Sequence, residues 1–421
     1  MKITVLGAGR EVGRTAILLS EAEDSSSLLL DYGISFDEYD KPVFPLSVAP
    51  SQLKAVLVSH AHLDHIGATP LLYVSAKPLL IATNLTLVTG KLMIEDMLRL
   101  SGYYLPFEYP ELATMLENSK TVGISETVEL NGISIELLNA GHIPGSAMFR
   151  IHTKSKTIIY TGDINTIDTK LVKGVDLTNM NADIVIMEST YGMFNHPPRH
   201  RVEEKFVETI KSVLDDGGSV LIPSFSLGRA QEILAVLADR MPYANVYYDG
   251  MAREIMMLYL EQKEYINRID LLRKAYTLFE SVRSSQMRKK ICSEPGNIIV
   301  APAGMLKGGP AVYYIKRLGF NSRNAVILVS FQATTTPGRK LLVDGSLEEN
   351  GQPVNAKVFW FDFSSHAGSE ELVNIIKSVK NIEKVILVHG SEDAIYTIGY
   401  RIREELGIEF YAPKNGETIE I

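Results

Sequence analysis

Short apolar runs bounded by turn residues fill the first 165 positions, and each is too brief for a helix. The clearest are 2–6, 53–59, 133–138 and 157–159, rich in Val, Ile and Leu, and they read as β-strands. One longer stretch, 85–100, places Met93, Met97 and Leu98 at helical spacing and reads as a helix with those side chains in a core. From about position 200 the pattern changes. Helices are expected at 203–214, 230–240, 251–259 and 311–318, with strands at 219–222, 245–248 and 297–301 between them. Such alternation argues for a parallel sheet covered by helices. Beyond 345 short strands return, then helices at 369–379 and 394–406, and a last strand within 410–421 that would suit an interface.

These changes divide the chain into 1–195, 196–344 and 345–421. Charge follows the same division. The overall balance is −8, yet residues 196–344 hold 21 Lys plus Arg against 15 Asp plus Glu, a net +6, which leaves −14 for the remainder. A basic insert of this kind could hold phosphates by Coulomb attraction and counterion release. For the run from Arg283 to Lys290, a solvated helical face is an equal alternative. The sole cysteine, Cys292, excludes an intramolecular disulfide framework and reads as an inert core residue in a reducing compartment. Neither a leader pattern nor an apolar run of membrane-spanning length is present, so a soluble, cytoplasmic protein is expected.

The chemistry is concentrated in His60-Ala61-His62-Leu63-Asp64-His65, which follows a buried-strand pattern and crowds four possible metal ligands into six residues. The whole chain has nine histidines, so three in this spacing beside an aspartate call for an explanation. Three more candidate ligands, His142, Asp163 and His389, each follow a short β-branched stretch and so should sit at strand ends. If His389 is to meet His60 and Asp163, the first and last segments must form one body interrupted by the basic insert. Gly7-Ala8-Gly9-Arg10-Glu11-Val12-Gly13 misses the spacing of a dinucleotide-binding turn and reads as a tight turn between strands. Two loops of the insert are better anion candidates, with a purely structural turn the equal alternative for each on its residues alone. In 303–310, Gly304, Gly308 and Gly309 would let backbone amides approach a phosphate beside Lys307, with Pro310 in the first helical turn. In 224–229, Ser224, Ser226 and Arg229 join a strand to a helix, and Ser226 is the expected N-cap.

These motifs together resemble the metallo-β-lactamase superfamily. Met187-Glu188-Ser189-Thr190-Tyr191-Gly192, Phe363-Ser364-Ser365-His366-Ala367 and Val388-His389-Gly390 are similar to the motifs of its β-CASP nucleases. The likeness covers essentially the whole chain and is nearest to short archaeal forms related to the cleavage and polyadenylation specificity factor endonuclease and to RNase J. With a first strand at 2–6, no N-terminal KH domain is expected. The resemblance implies a four-layer αββα body, with a β-CASP domain inserted as an α/β unit having a parallel sheet. It also implies two zinc ions. One would be held by His60, His62 and His142 and the other by Asp64, His65 and His389, with Asp163 bridging them and Asp31 supporting the ligands from behind. The segment from Gln332-Ala333 to Gly338-Arg339 also resembles a family segment, which adds Arg339 to the RNA-contact candidates. Gly368 stands where relatives often carry aspartate.

The implied activity is zinc-dependent hydrolysis of RNA phosphodiester bonds by two-metal hydroxide attack, leaving a 5′-phosphate. Asp64 and Asp163 would serve through the metals, His366 would protonate the leaving 3′-oxygen, and Glu188 would hold that imidazole. The reading leans to 5′→3′ exonuclease action in RNA processing or decay, with endonucleolytic 3′-end cleavage as the alternative. A DNA-repair nuclease, a non-catalytic scaffold of an RNA-processing complex and a small-molecule hydrolase are weaker readings. Besides RNA and such a complex, a homodimer would fit the base rate for chains of this size. No membrane partner is expected.

Overall fold

Alternating apolar positions along the strands decide which layers meet. In the computed structural model, which describes residues 1–20, 27–348 and 351–421, the chain divides into two units. The first contains Met1–Asp168, Gly174–Asn195 and Ser365–Ile421, and the second Thr169–Lys173 and His196–Ser364.

Two seven-stranded sheets build the first unit. In one, the order is Thr418–Glu420, Lys2–Gly7, Ala16–Ser20, Ser27–Leu30, Leu53–Leu57, Leu79–Ala82 and Ser119–Thr121. In the other it is Phe410–Tyr411, Lys384–Val388, Ile184–Glu188, Thr157–Tyr160, Ala147–His152, Ile133–Asn139 and Thr127–Leu130. Leu28, Leu30, Ala55 and Leu57 of the first sheet share one core with Ile158, Tyr160, Ile184, Ile186 and Val388 of the second. The intervening residues point outward. Leu29, Val56 and Leu80 pack with Leu87, Ile94 and Met97 of the helix Asn84–Leu100, and with Leu112 and Met115 of Tyr109–Glu117. On the opposite side, Ile159, Val185 and Leu387 pack with Leu372 and Ile376 of Ser369–Ser378 and Ile395 and Ile398 of Glu392–Leu406. The result is the αββα order of layers, each sheet buried on both faces.

The second unit has six strands, all parallel, in the order Glu280–Ser281, Asn245–Tyr248, Asn297–Ala301, Val220–Pro223, Ala325–Leu328 and Lys357–Trp360. Helices link them, as the alternation predicts. The unit runs through Ser364 rather than ending at 344, because Lys357–Trp360 pairs along the full length of Ala325–Leu328. The expected strand at 410–421 is two strands. Phe410–Tyr411 extends one sheet and Thr418–Glu420 pairs with Lys2–Thr4 in the other, with Pro413 between them. Cys292 is partly buried and packs at the margin of a core of the second unit. No helix among the described residues is long and apolar enough to cross a membrane.

Candidate metal centre

Every chemical group of the His/Asp cluster sits just beyond a strand of the first unit or at its last residue, where one rigid scaffold can aim several loops at one point. His60 follows Leu53–Leu57, and His62 caps the four-residue helix Leu63–Ile66 that carries Asp64 and His65. His142 follows Ile133–Asn139, Asp163 follows Thr157–Tyr160, Glu188 ends its strand, and His389 follows Lys384–Val388. His366 precedes the helix Ser369–Ser378. Backbone packing is tight here. A Cβ on Gly33 would lie 1.8 Å from the carbonyl oxygen of Asp64, so no other residue fits. Asp31 and His389 both hold left-handed backbone angles, φ +56° and +49°, a conformation that non-glycine residues adopt at a cost.

Two groups of ligand atoms converge. His62 Nδ1 lies 3.0 Å from His60 Nε2 and 3.2 Å from His142 Nε2. Asp163 Oδ2 is 3.5 Å from His60 Nε2 and 3.6 Å from His142 Nε2. In the second group, His65 Nε2 lies 3.3 Å from Asp163 Oδ1 and 3.9 Å from Asp64 Oδ2, and His389 Nε2 lies 3.3 Å from Asp64 Oδ2. A tetrahedral zinc with ligands at about 2.0–2.1 Å spaces its ligand atoms about 3.3 Å apart, so both groups have the right edge lengths. Among the described residues His65 Nε2 and Asp163 Oδ1 are buried and find no hydrogen-bond partner, the pattern expected of atoms shaped for an ion. The residues therefore fit a metal.

Electrostatics agree. Burial, then repulsion from His65, lowers the pKa of His60 well below its ordinary value; burial and His366 do the same to His142. Both imidazoles are thus neutral and offer lone pairs. Burial opposes ionisation of Asp163, yet His65, His389 and His366 hold its carboxylate well below the usual range. Burial likewise disfavours charge on His65, but Asp163, Asp31 and Asp64 overcome it and raise its pKa. Carboxylates that draw a proton onto His65 would also draw a cation.

Asp31 supports this centre from behind. Its carboxylate accepts the Ser59 amide and hydroxyl, His65 Nδ1–H at 2.7 Å and the Tyr160 hydroxyl at 2.5 Å. Fixing the proton on Nδ1 leaves His65 Nε2 for a metal. His142 is oriented similarly, with Nδ1–H donated to the Ser365 carbonyl at 2.8 Å. His366 donates Nδ1–H to both oxygens of Glu188, at 3.0 and 2.9 Å, and Glu188 also accepts the Ile164 amide. Burial alone would depress the pKa of His366, but Glu188, then Asp163, raise it to about 9. The Gly7–Gly13 turn backs His389, accepting the amides of His389 and Gly390 on Ala8 and Glu11 carbonyls. Tyr160, Ser59 and Thr190 were not singled out from sequence. Tyr160 and Ser59 are next to motif residues, and that adjacency was the only signal. Gly368 allows a close approach: a Cβ there would lie 3.2 Å from the Asn195 Cα and the Phe194 carbonyl oxygen.

The anion candidates lie in the second unit, and its parallel strands bring them together. Pro223 pairs with Ala301, so the loops 224–228 and 302–308 emerge side by side. A Cβ on Gly304 would lie 3.0 Å from the Phe225 amide. The Gln332 amide donates to the Gly304 carbonyl, and the Gly338 amide to that of Met305, adding the 330–338 segment. Ser224 is buried, Arg229 and Ser226 are half-buried, and Lys307 and Arg339 are exposed. Gly309, at φ +66°, opens its helix with Pro310 in the first turn. Ser226 is not the N-cap. Gly228 takes that place at φ +82°, its amide donating to the Gln231 side chain, and the Ser226 carbonyl accepts from Gln231.

Fold and site together define a metal-dependent hydrolase. Residues 19–190 match the metallo-beta-lactamase superfamily domain, 230–341 the Beta-Casp domain, and 351–413 the Zn-dependent metallo-hydrolase RNA specificity domain. The chain is 48% identical to RNase aCSPSF2 of Saccharolobus solfataricus, an alignment covering 100% of this chain and 85% of that protein. It is 38% identical to the probable RNase MJ4 of Methanocaldococcus jannaschii, covering 100% of both. Identity to the transcription termination factor FttA of Pyrococcus abyssi is 33%, over 100% of this chain and 71% of that one. A crystal structure of a protein of unknown function from Enterococcus faecalis shares the fold, with TM-score 0.60, 14% identity and 99% coverage of each chain. The chain belongs to the β-CASP family of the metallo-β-lactamase superfamily.

Proposed function

We propose that this chain is a zinc-dependent ribonuclease that hydrolyses RNA phosphodiester bonds at the His/Asp centre. The observation that carries the reading is the convergence of seven candidate ligand side chains, two of whose buried atoms, His65 Nε2 and Asp163 Oδ1, find no hydrogen-bond partner among the described residues, beside a His366–Glu188 pair. His60, His62 and His142 would hold one zinc, Asp64, His65 and His389 the other, with Asp163 shared. Bound there, two zinc ions supply an acidified water and positive charge against the phosphate. His366 gives a proton to the departing 3′-oxygen from Nε2, while Glu188 holds Nδ1 and keeps the ring protonated and aimed. The downstream product keeps the 5′-phosphate. Asp64 stays ionised as a ligand, since the cations beside it favour the carboxylate.

The RNA backbone is held by the loop cluster of the second unit, through Ser224, Ser226, Arg229, Gly304, Lys307, Gly308, Gly309 and Arg339. Among the described residues the side-chain oxygens of Ser224 and Ser330 there are buried without hydrogen-bond partners, which leaves them open to a terminal phosphate. That favours 5′→3′ exonuclease action, carried out in the cytoplasm, over internal cleavage. Incubating the zinc-loaded chain with 5′-monophosphate, 5′-triphosphate and circular RNA, DNA and a generic ester tests both levels. Monophosphate-dependent release of mononucleotides is expected. Cleavage of the circle would overturn the direction, and hydrolysis of the ester without any RNA cleavage would overturn the ribonuclease itself.

A further inference from the structure

We infer that Thr190 is a positioning residue that joins the last metal ligand to the proton donor through one ordered chain of hydrogen bonds. The inference rests on the reading of the centre given above. It begins with strand register. Ile184–Glu188 and Lys384–Val388 pair in parallel with Glu188 opposite Val388, so Thr190 and His389 leave adjacent strand ends together.

The Thr190 hydroxyl faces three groups: Glu188 Oε2 at 2.5 Å, His389 Nδ1 at 3.2 Å and the His389 carbonyl oxygen at 3.2 Å. A hydroxyl has one proton to give. An ionised carboxylate can only accept, and its contact is much the shortest, so that proton points to Glu188. A lone pair of the oxygen is then left for His389 Nδ1, which must carry the N–H. Asp163 Oδ1, at 3.4 Å, is the more distant acceptor for the same nitrogen. With the proton on Nδ1, His389 Nε2 presents its lone pair beside Asp64 Oδ2. Glu188 takes Nδ1–H of His366 on its other side. The order is therefore His389 Nδ1–H to Thr190, Thr190 O–H to Glu188, and His366 Nδ1–H to Glu188. One hydroxyl fixes the tautomer of a ligand and the carboxylate that aims the acid.

The test uses the full chain with Thr190→Val, which keeps the branched shape without the hydroxyl, and Thr190→Ser, which keeps the hydroxyl. Three quantities are read: zinc retained per folded chain against a competing chelator, single-turnover RNA cleavage, and melting of the zinc-stripped protein. Loss of a group that orients a ligand costs roughly 10- to 100-fold in metal affinity or rate. Thr190→Val is expected to give up one zinc at chelator levels that leave two in the wild type, and to cleave more slowly by a similar factor. Thr190→Ser should restore both to within a few-fold. Equal zinc retention and rate in Thr190→Val would overturn the inference, as would a serine variant as impaired as the valine one. If Thr190→Val does not fold, Thr190→Ser against Thr190→Ala decides by the same readings. A two-zinc wild type with a silent valine variant overturns only the role of Thr190; a wild type that takes no second zinc overturns the two-metal reading with it.

Discussion

Two buried clusters of charged side chains, one in each unit, differ in what they leave unpaired. In the second unit, Arg199 donates to Glu232 Oε1 at 2.8 Å and lies 3.4 Å from Glu203 Oε1. Glu232 also accepts the backbone amides of Lys170 and Leu171, and the Lys170 ammonium reaches Asp239 at 2.8 Å. Each carboxylate there has a cation or amide of its own chain. In the first unit, Asp31 is similarly supplied, but Asp163 Oδ1 and His65 Nε2 are not. The cluster of the first unit ends in acceptors, while that of the second is closed by ion pairs, with only the Arg199 Nε–H, 3.4 Å from Glu203 Oε1, lacking a hydrogen bond among the described residues. Perturbed charge alone does not mark function, since structural networks carry it too; a surplus of buried acceptors with matching geometry does.

Substitution at the surplus should therefore destroy activity and leave the fold. Asp163→Ala removes the carboxylate common to both ligand groups, and zinc content per chain should fall with RNA cleavage reduced about 10³-fold or more, the equivalent of about 4 kcal/mol in the barrier. Elemental analysis of the purified variant checks the first part. A variant that keeps two zinc ions and near-normal rates would show that Asp163 is not shared between metals. His366→Ala should keep its zinc and lose about 10²- to 10⁴-fold in turnover, the usual range for a general acid. Unchanged cleavage in that variant would remove the acid assignment while leaving the ligand set intact.

The closed cluster should respond the other way. Glu232→Ala strands the Arg199 guanidinium and the two amides of 170–171 in a buried place. Breaking one partner of such a pair costs about 3–5 kcal/mol. Chemical denaturation followed by circular dichroism should show an earlier transition, with zinc per folded chain unaltered. Loss of zinc at undiminished stability would reverse the contrast drawn between the clusters.

The difference also explains what could be read from sequence. Candidate ligands advertise themselves, because His and Asp at the end of β-branched runs combine an uncommon residue type with a recognisable local pattern. His60, His62, Asp64, His65, His142, Asp163 and His389 stood out for that reason, and the geometry gathers them into two groups, each able to hold a metal. The strands and helices were legible because period-2 and period-3.6 patterns differ, while the order of the four layers came only from the resemblance. Among the supports of the ligands, Asp31 was named through the resemblance, but Tyr160 and Thr190 were not. The Tyr160 hydroxyl meets a partner 129 positions away, and Thr190 links the nearby Glu188 to the distant His389, a contact that its place in the 187–192 motif does not reveal. The second unit's limit at 364 was missed because Lys357–Trp360 is short and half-exposed, so its apolar signal is weak. Ser226 failed as an N-cap because Gly228 supplies the positive φ that the turn needs, and a local rule for side-chain oxygens does not see that requirement.

The smallest effects should come from the exposed cations of the loop cluster, and they test whether the second unit contributes phosphate binding rather than chemistry. Lys307 is exposed beside glycines that open the helix Gly309–Leu318, and Arg339 is exposed in the first turn of Pro337–Asp344. An exposed cation meeting a phosphate acts mainly by releasing counterions, and each such contact adds about 0.7 to the slope of affinity against salt for a single strand. Lys307→Ala and Arg339→Ala should each raise KM a few-fold at low salt, flatten that slope by about 0.7 and leave kcat unchanged. The KM penalty should shrink as salt rises. A fall in kcat with an unaltered salt slope would mean that the loop acts on the reacting centre instead of the backbone, and would erase the division of labour between the two units. Because backbone contacts carry no sequence information, the weakening should also be uniform across RNA sequences of equal length.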